Sequence, residues 1–178
     1  MPAPHRWRTR PPPSTQSCLR CGSTTCERSS RRRRISSTAK VVVDPSNPVG
    51  FDGNGQIFRT LPDEQSAGSI VAALLPAGAH YVKAFGTLAA DSLAASANRE
   101  PHRAALFYAT DDDIAATTVE RLIRVAGFDP LKAGGVADAG RIEGPSGALS
   151  QSGLDGEIID LEQARSVLAG ARTLEAQR

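Results

Sequence analysis

Thiols are missing from everything after Cys26, aromatic side chains make up only 4% of the 178 residues, and apolar runs are short. Each shortage excludes something. With Cys18, Cys21 and Cys26 confined to the start, the rest of the chain has no disulfide to make and no reason to favour an oxidising compartment, so the cytoplasm is the expected location. The longest apolar stretch, residues 70–79, is interrupted by Pro76 and falls short of the roughly 18 residues a membrane span needs. Two catalytic signatures are missing as well. There is no GxSxG nucleophile elbow, and no GxGxxG follows a strand: in Gly53-Asn54-Gly55 the place of the third glycine is taken by Phe58.

The charge is present but unevenly spread. Up to Arg34, nine arginines stand against one glutamate, a balance of +8; after it, 12 basic and 18 acidic residues give −6. Residues 1–38 are Pro-rich, then Ser/Thr/Cys-rich, then a run of four arginines, with almost no aliphatic side chains. Such a segment cannot bury enough surface to offset its chain entropy, and a disordered basic tail is expected there. Its prolines break the amphipathic helix of a transit peptide. Cys18, Cys21 and Cys26 lack a second CxxC or an HxxxH to complete a zinc site, so no metal is expected. An arginine run without interleaved aromatics attracts nucleic acid only nonspecifically, through counterion release.

From Ala39 onward, apolar runs alternate with helical periodicity, and residues 39–178 read as one domain. The run from Lys40 to Asp44 is a β-branched strand closed by Pro45. Residues 50–55 form a glycine-rich loop, and Ser66 caps a helix that ends before Pro76. Residues 79–85 and 104–109 are two more strands, separated by an alanine-rich helix over 88–97. Asp111, Asp112 and Asp113 open the next helix, whose apolar face is Ala115, Val119, Leu122, Ile123 and Ala126 and whose end is Gly127. An extended segment over 128–133 and a final helix, opened by an Asp160/Gln163 capping box, complete the series.

Alternation of this kind predicts an α/β fold: a partial Rossmann-like parallel sheet with crossover helices. Ligands of such sheets sit beyond the carboxyl ends of the strands, so the connections over 44–48, 85–88 and 110–112 are expected along one edge. His80, at a strand start, falls on the other side and reads as structural. Lys83 could meet a phosphate or snorkel to the sheet edge. No residue stands out as catalytic.

Four strings, VVVDPSNPVG (41–50), LLPAGAHYVKAFGTL (74–88), LFYATDDD (106–113) and GFDPLKAGGVADAGRIE (127–143), keep the order and approximate spacing of the NADPH-dependent reductases of the 8-hydroxy-5-deazaflavin coenzyme F-420. The chain resembles the second part of that family, from about Ala39 to about Glu143. The resemblance implies hydride transfer between NADPH and F-420, with NADP(H) and the deazaflavin as cofactors, in a family whose typical end forms a homodimer. Carried over by position, Ser46, Asn47 and Pro48 lie close to the nicotinamide. Ala84, Phe85, Gly86, Thr87 and Leu88 form the wall under the deazaflavin ring, with Gly86 standing where some relatives carry His or Asn. The first Rossmann unit of the family, with its glycine loop, has no counterpart here, and residues 144–157 depart from the typical end. Impaired turnover and weak NADPH binding are therefore expected. The alternatives are a noncatalytic fragment that binds a deazaflavin or a partner subunit, and a nucleic-acid-associated protein acting through the basic tail.

Overall fold

The computed structural model describes residues 40–175, with side chains to residue 171. The disordered tail expected over 1–38, with its three cysteines, lies outside the described residues.

Four strands make the main sheet: β1 (Val41–Asp44), β4 (His80–Ala84), β5 (Ala105–Ala109) and β6 (Asp129–Gly134), in the order β1-β4-β5-β6. Helices α1 (Ala67–Leu74), α2 (Ala90–Ser96), α3 (Asp113–Val125) and α4 (Leu161–Glu175) punctuate the strands, as the alternation predicts. All five residues of β5 are buried. Successive side chains of a strand point to opposite faces, so Leu106 and Tyr108 join Val82, Ala84, Val119, Ile123 and Phe128 in one core, while Ala105, Phe107 and Ala109 join Ile142, Leu149, Ala164 and Leu168 in the other. A strand covered on both faces explains the unbroken apolar run AALFYA.

Local signals at the helix ends hold. Asp112 caps α3, its carboxylate accepting from the Ala115 amide at 2.8 Å, and Gly127 leaves the helix at φ +90°. Asp160 and Gln163 form the reciprocal capping box at the start of α4, at 3.0 and 2.9 Å. Leu122, expected on the inner face of α3, is 44% exposed and faces outward.

Two expectations need correction. The sheet is mixed: β1–β4 and β5–β6 are parallel, but β4–β5 is antiparallel, with Lys83 opposite Ala109 and Ala84 opposite Tyr108. A parallel crossover must carry the chain back along the full strand. The seven residues of α2 span only about 10 Å, so β5 starts at the end where β4 stops. Residues 110–112 consequently emerge beside His80, at the opposite end of the sheet from Asp44 and Phe85. The second correction concerns the glycine-rich stretch 50–55: Gly50 and Phe51 belong to strand β2 (Val49–Phe51), which pairs antiparallel with β3 (Ile57–Arg59), and the residues after Phe51 form the hairpin turn. The Asp52 carboxylate ties that turn together by accepting from the Asn54 and Gln56 amides.

Among the described residues no helix is long and apolar enough to cross a membrane, and no group of three or more His, Cys, Asp or Glu could hold a metal ion.

Candidate functional site

β1 and β4 are parallel and in register, so their carboxyl ends deliver residues 45–48 and residues 85–88 side by side. Asn47 joins them. Its Nδ2 donates to the Gly86 carbonyl at 2.7 Å, and its Oδ1 accepts from the Gly144 amide at 3.1 Å. One side chain thus fastens three loops. A Cβ added at Gly86 would lie 3.1 Å from both Asn47 Oδ1 and the Pro45 carbonyl oxygen, so the backbones approach closely because position 86 is glycine.

The turn after β4 is strained. Phe85 has φ +65°, a left-handed conformation that a bulky side chain rarely adopts. Two contacts downstream hold it there. The Gln151 amide donates to the Thr87 carbonyl at 2.8 Å, and Gln151 Oε1 accepts from the Ala89 amide at 2.9 Å. Thr87 is 4% exposed, and its Oγ1 has no hydrogen-bond partner among the described residues.

Beneath the loops lies a buried ionic network. Lys83 is 1% exposed and donates from Nζ to Asp44 Oδ2 at 3.0 Å, to the Ser46 carbonyl at 2.5 Å and to Ser46 Oγ at 3.3 Å. It neither meets solvent nor reaches a free face, contrary to both sequence expectations. Tyr81 donates its hydroxyl to Asp44 at 2.7 Å. Glu143, fully buried, accepts from the first amides of α1, Ala67 at 3.1 Å and Gly68 at 2.7 Å, and lies 3.7 Å from both Lys83 and Arg59. Burial opposes the charge on Asp44, but hydrogen bonds from Ser46, Tyr81 and Lys83 outweigh it and hold the carboxyl below the usual range. Burial, together with that carboxylate, pushes the Tyr81 hydroxyl up.

The sequence-derived residues therefore gather at one end of the sheet. Ser46 is exposed, Asn47 half-buried and Pro48 buried; Ala84 and Thr87 are buried, while Phe85, Gly86 and Leu88 are half-buried. Sequence reasoning missed Asp44, Tyr81, Glu143, Gly144 and Gln151. Only Asp44, at the end of its strand, carried a local signal; the others act across more than 35 positions of chain.

Two other features compete for attention. A cleft of about 730 Å³ lies between α1 and residues 137–148, lined by Asp63, Glu64, Ser66, Asp138, Arg141 and Ser146 among others, and none of residues 46–48 or 84–88. Three carboxylates against one guanidinium make it a poor receptor for a phosphate. At the far end of the sheet His80 Nδ1 lies 2.6 Å from Asp112 Oδ2, and that bond leads the interactions that hold the Asp112 carboxyl below its usual range. Among the described residues no Ser hydroxyl hydrogen-bonds to this pair, and its carboxylate already serves as a helix cap.

Fold and site thus define an α/β protein whose ligand-side loops are built largely from backbone. No family model matches the chain, and no curated protein does. Among solved structures, a hypothetical protein from Sinorhizobium meliloti is similar at 30% identity and a TM-score of 0.55, covering 67% of this chain and 54% of its own. A protein from Arthrobacter sp. fb24, provisionally described as an F-420-dependent NADP reductase, is similar at 24% identity and a TM-score of 0.49, covering 58% and 46%. The chain spans about half the length of each of these proteins.

Proposed function

We propose that residues 39–178 carry the ring-binding part of an oxidoreductase that moves hydride between NADPH and the deazaflavin coenzyme F-420. One observation carries the reading: the two loops assigned to the nicotinamide and the deazaflavin meet directly through the Asn47–Gly86 hydrogen bond of 2.7 Å, at the carboxyl ends of two parallel strands. Direct hydride transfer asks the protein for positioning rather than proton transfer, and this end of the sheet offers a close-packed wall with a strained turn.

The ring end fits and the phosphate end does not. Thr87 Oγ1 is a buried hydroxyl without a hydrogen-bond partner among the described residues, beside the glycine that keeps the wall open to close approach. The pyrophosphate of NADPH needs free amides at a helix start or fixed cations. At α1 those amides are taken by Glu143 and Ser66, and the buried Lys83 and half-buried Arg59 face carboxylates. This mismatch favours, as the second reading, a chain that binds the deazaflavin without turnover.

Mixing the purified chain with F-420 and NADPH, and following the deazaflavin absorbance, tests the activity. Bleaching at a rate proportional to protein supports it. Binding of F-420 without bleaching supports the second reading, and no binding of either cofactor overturns both.

A further inference from the structure

Lys83 is a buried cation that hydride transfer does not use. The charged and titratable groups facing it are Asp44, from the end of its neighbouring strand, Tyr81 from its own strand, and Glu143 from the segment packed against α1. Arg59, at the base of the hairpin, balances the second carboxylate. Two carboxylates and two cations are thus enclosed together. Buried ion pairs of this kind rarely add net stability over an apolar packing of the same volume, so their retention calls for another explanation.

Geometry supplies one. Two of the hydrogen bonds from Lys83 go not to a carboxylate but to Ser46, one to its carbonyl at 2.5 Å and one to its hydroxyl at 3.3 Å. Asp44, the ion-pair partner, meanwhile accepts from the Ser46 amide at 2.9 Å. Ser46 is therefore held at its amide by the anion and at its carbonyl by the cation, although it is itself exposed. Asn47 follows immediately, and its side chain is what joins the two ligand-side loops. Charge-assisted bonds of this sort are short and directional, and they fix a loop at a position where apolar packing cannot.

We infer that Lys83 is a positioning residue: with Asp44 it sets residues 45–48 so that Asn47 can hold the deazaflavin wall at Gly86. This role rests on the proposed function, and the test separates the two. Three full-length chains are compared, the wild type, Lys83→Met and the charge-balanced double variant Asp44→Asn/Lys83→Met. Lys83→Met leaves two buried carboxylates facing one cation and should lose global stability; the double variant restores the charge balance and should recover most of its melting temperature.

The expected result is that the recovered double variant still exchanges the amide hydrogens of Ser46 and Gly144 about tenfold faster than wild type or more, while those of β5 are unchanged. Its F-420 affinity, by fluorescence titration, should fall about tenfold, equivalent to roughly 1.4 kcal/mol. Wild-type loop exchange in the double variant overturns the inference, because Lys83 then serves only charge balance. Wild-type F-420 affinity in that variant also overturns it and leaves the proposed function standing. A wild-type chain that binds no F-420 overturns the proposed function instead, and the ring-positioning role with it.

Discussion

The two parallel strand pairs of one sheet are built on opposite principles. In the β5–β6 half, every residue of β5 is buried and all but Tyr108, whose hydroxyl reaches Glu120, carry purely apolar side chains, and α3, Ile142, Leu149 and α4 close over the strand. In the β1–β4 half, the strands carry Asp44, Tyr81 and Lys83 inward, and the covering segment adds Glu143. The first arrangement is what burial of apolar area favours. The second requires several desolvated charges to find partners across sequence distances of 39 and 60 residues. The difference teaches where the fold is held and where it is adjusted: the apolar half supplies stability, and the polar half sets the position of two loops.

The largest effect should come from breaking the apolar half. Phe107 is 2% exposed and packs between Ala133, Ile142 and Leu149. Phe107→Ala is expected to lose about 3–5 kcal/mol through transfer and cavity terms. Urea unfolding followed by circular dichroism checks it, and because β5 is shared by both cores the loss should appear at every probe.

Glu143→Gln comes next. The amide keeps an acceptor for the Gly68 amide but gives up the charge that faces Lys83, Arg59 and the start of α1. A loss of roughly 1–3 kcal/mol is expected. Unlike the Phe107 change, it should appear first as faster amide exchange at Ala67 and Gly68, with β5 still protected.

The polar half should also contribute to an acid limit on the stability of the sheet. The folded-state Asp44 carboxyl is held below its ordinary value, so the unfolded chain takes up the proton more readily. The stability this contributes is present above the ordinary carboxylate range and is lost as the pH falls through the lower folded value, below about pH 4. Asp44→Asn should flatten the melting temperature against pH in that window. Glu120, lowered chiefly by the hydrogen bond from Tyr108, titrates in the same direction, so the flattening will be partial.

How much of this contrast could be read from the sequence follows from the range of the interactions. AALFYA, the Asp112 cap, Gly127 and the Asp160/Gln163 box act within a few residues, and each gave its element correctly. Strand direction between β4 and β5 depends on whether the segment between them returns along the sheet, which propensity does not encode. The hairpin escaped because its strands have three residues each, too few for an alternation to register. Lys83 was ambiguous for a related reason: a lysine in a strand says nothing about its partner until the fold brings Asp44 and Glu143 to it. Of the site, the two loops were legible as strand ends, whereas the clasp by Asn47 and the brace by Gln151 were not.

The smallest stability effect tests the contrast most sharply. At Gly86 an added methyl would meet Asn47 Oδ1 and the Pro45 carbonyl at 3.1 Å, a crowding relieved when the Asn47 side chain and the backbone at Pro45 each shift by a few tenths of an ångström. Gly86→Ala is therefore expected to lose less than about 1 kcal/mol of stability, within the range of mild substitutions. The same shift, however, lengthens the 2.7 Å bond to the Gly86 carbonyl and the 3.1 Å bond from the Gly144 amide, so all three loops move. If the polar half exists to place those loops, F-420 affinity should fall clearly in a protein that melts almost as the wild type does, and Phe107→Ala should show the reverse pattern near native conditions: a large stability loss with little change in the affinity of the folded fraction. Parallel losses of stability and affinity in both variants would mean that the two halves share one task.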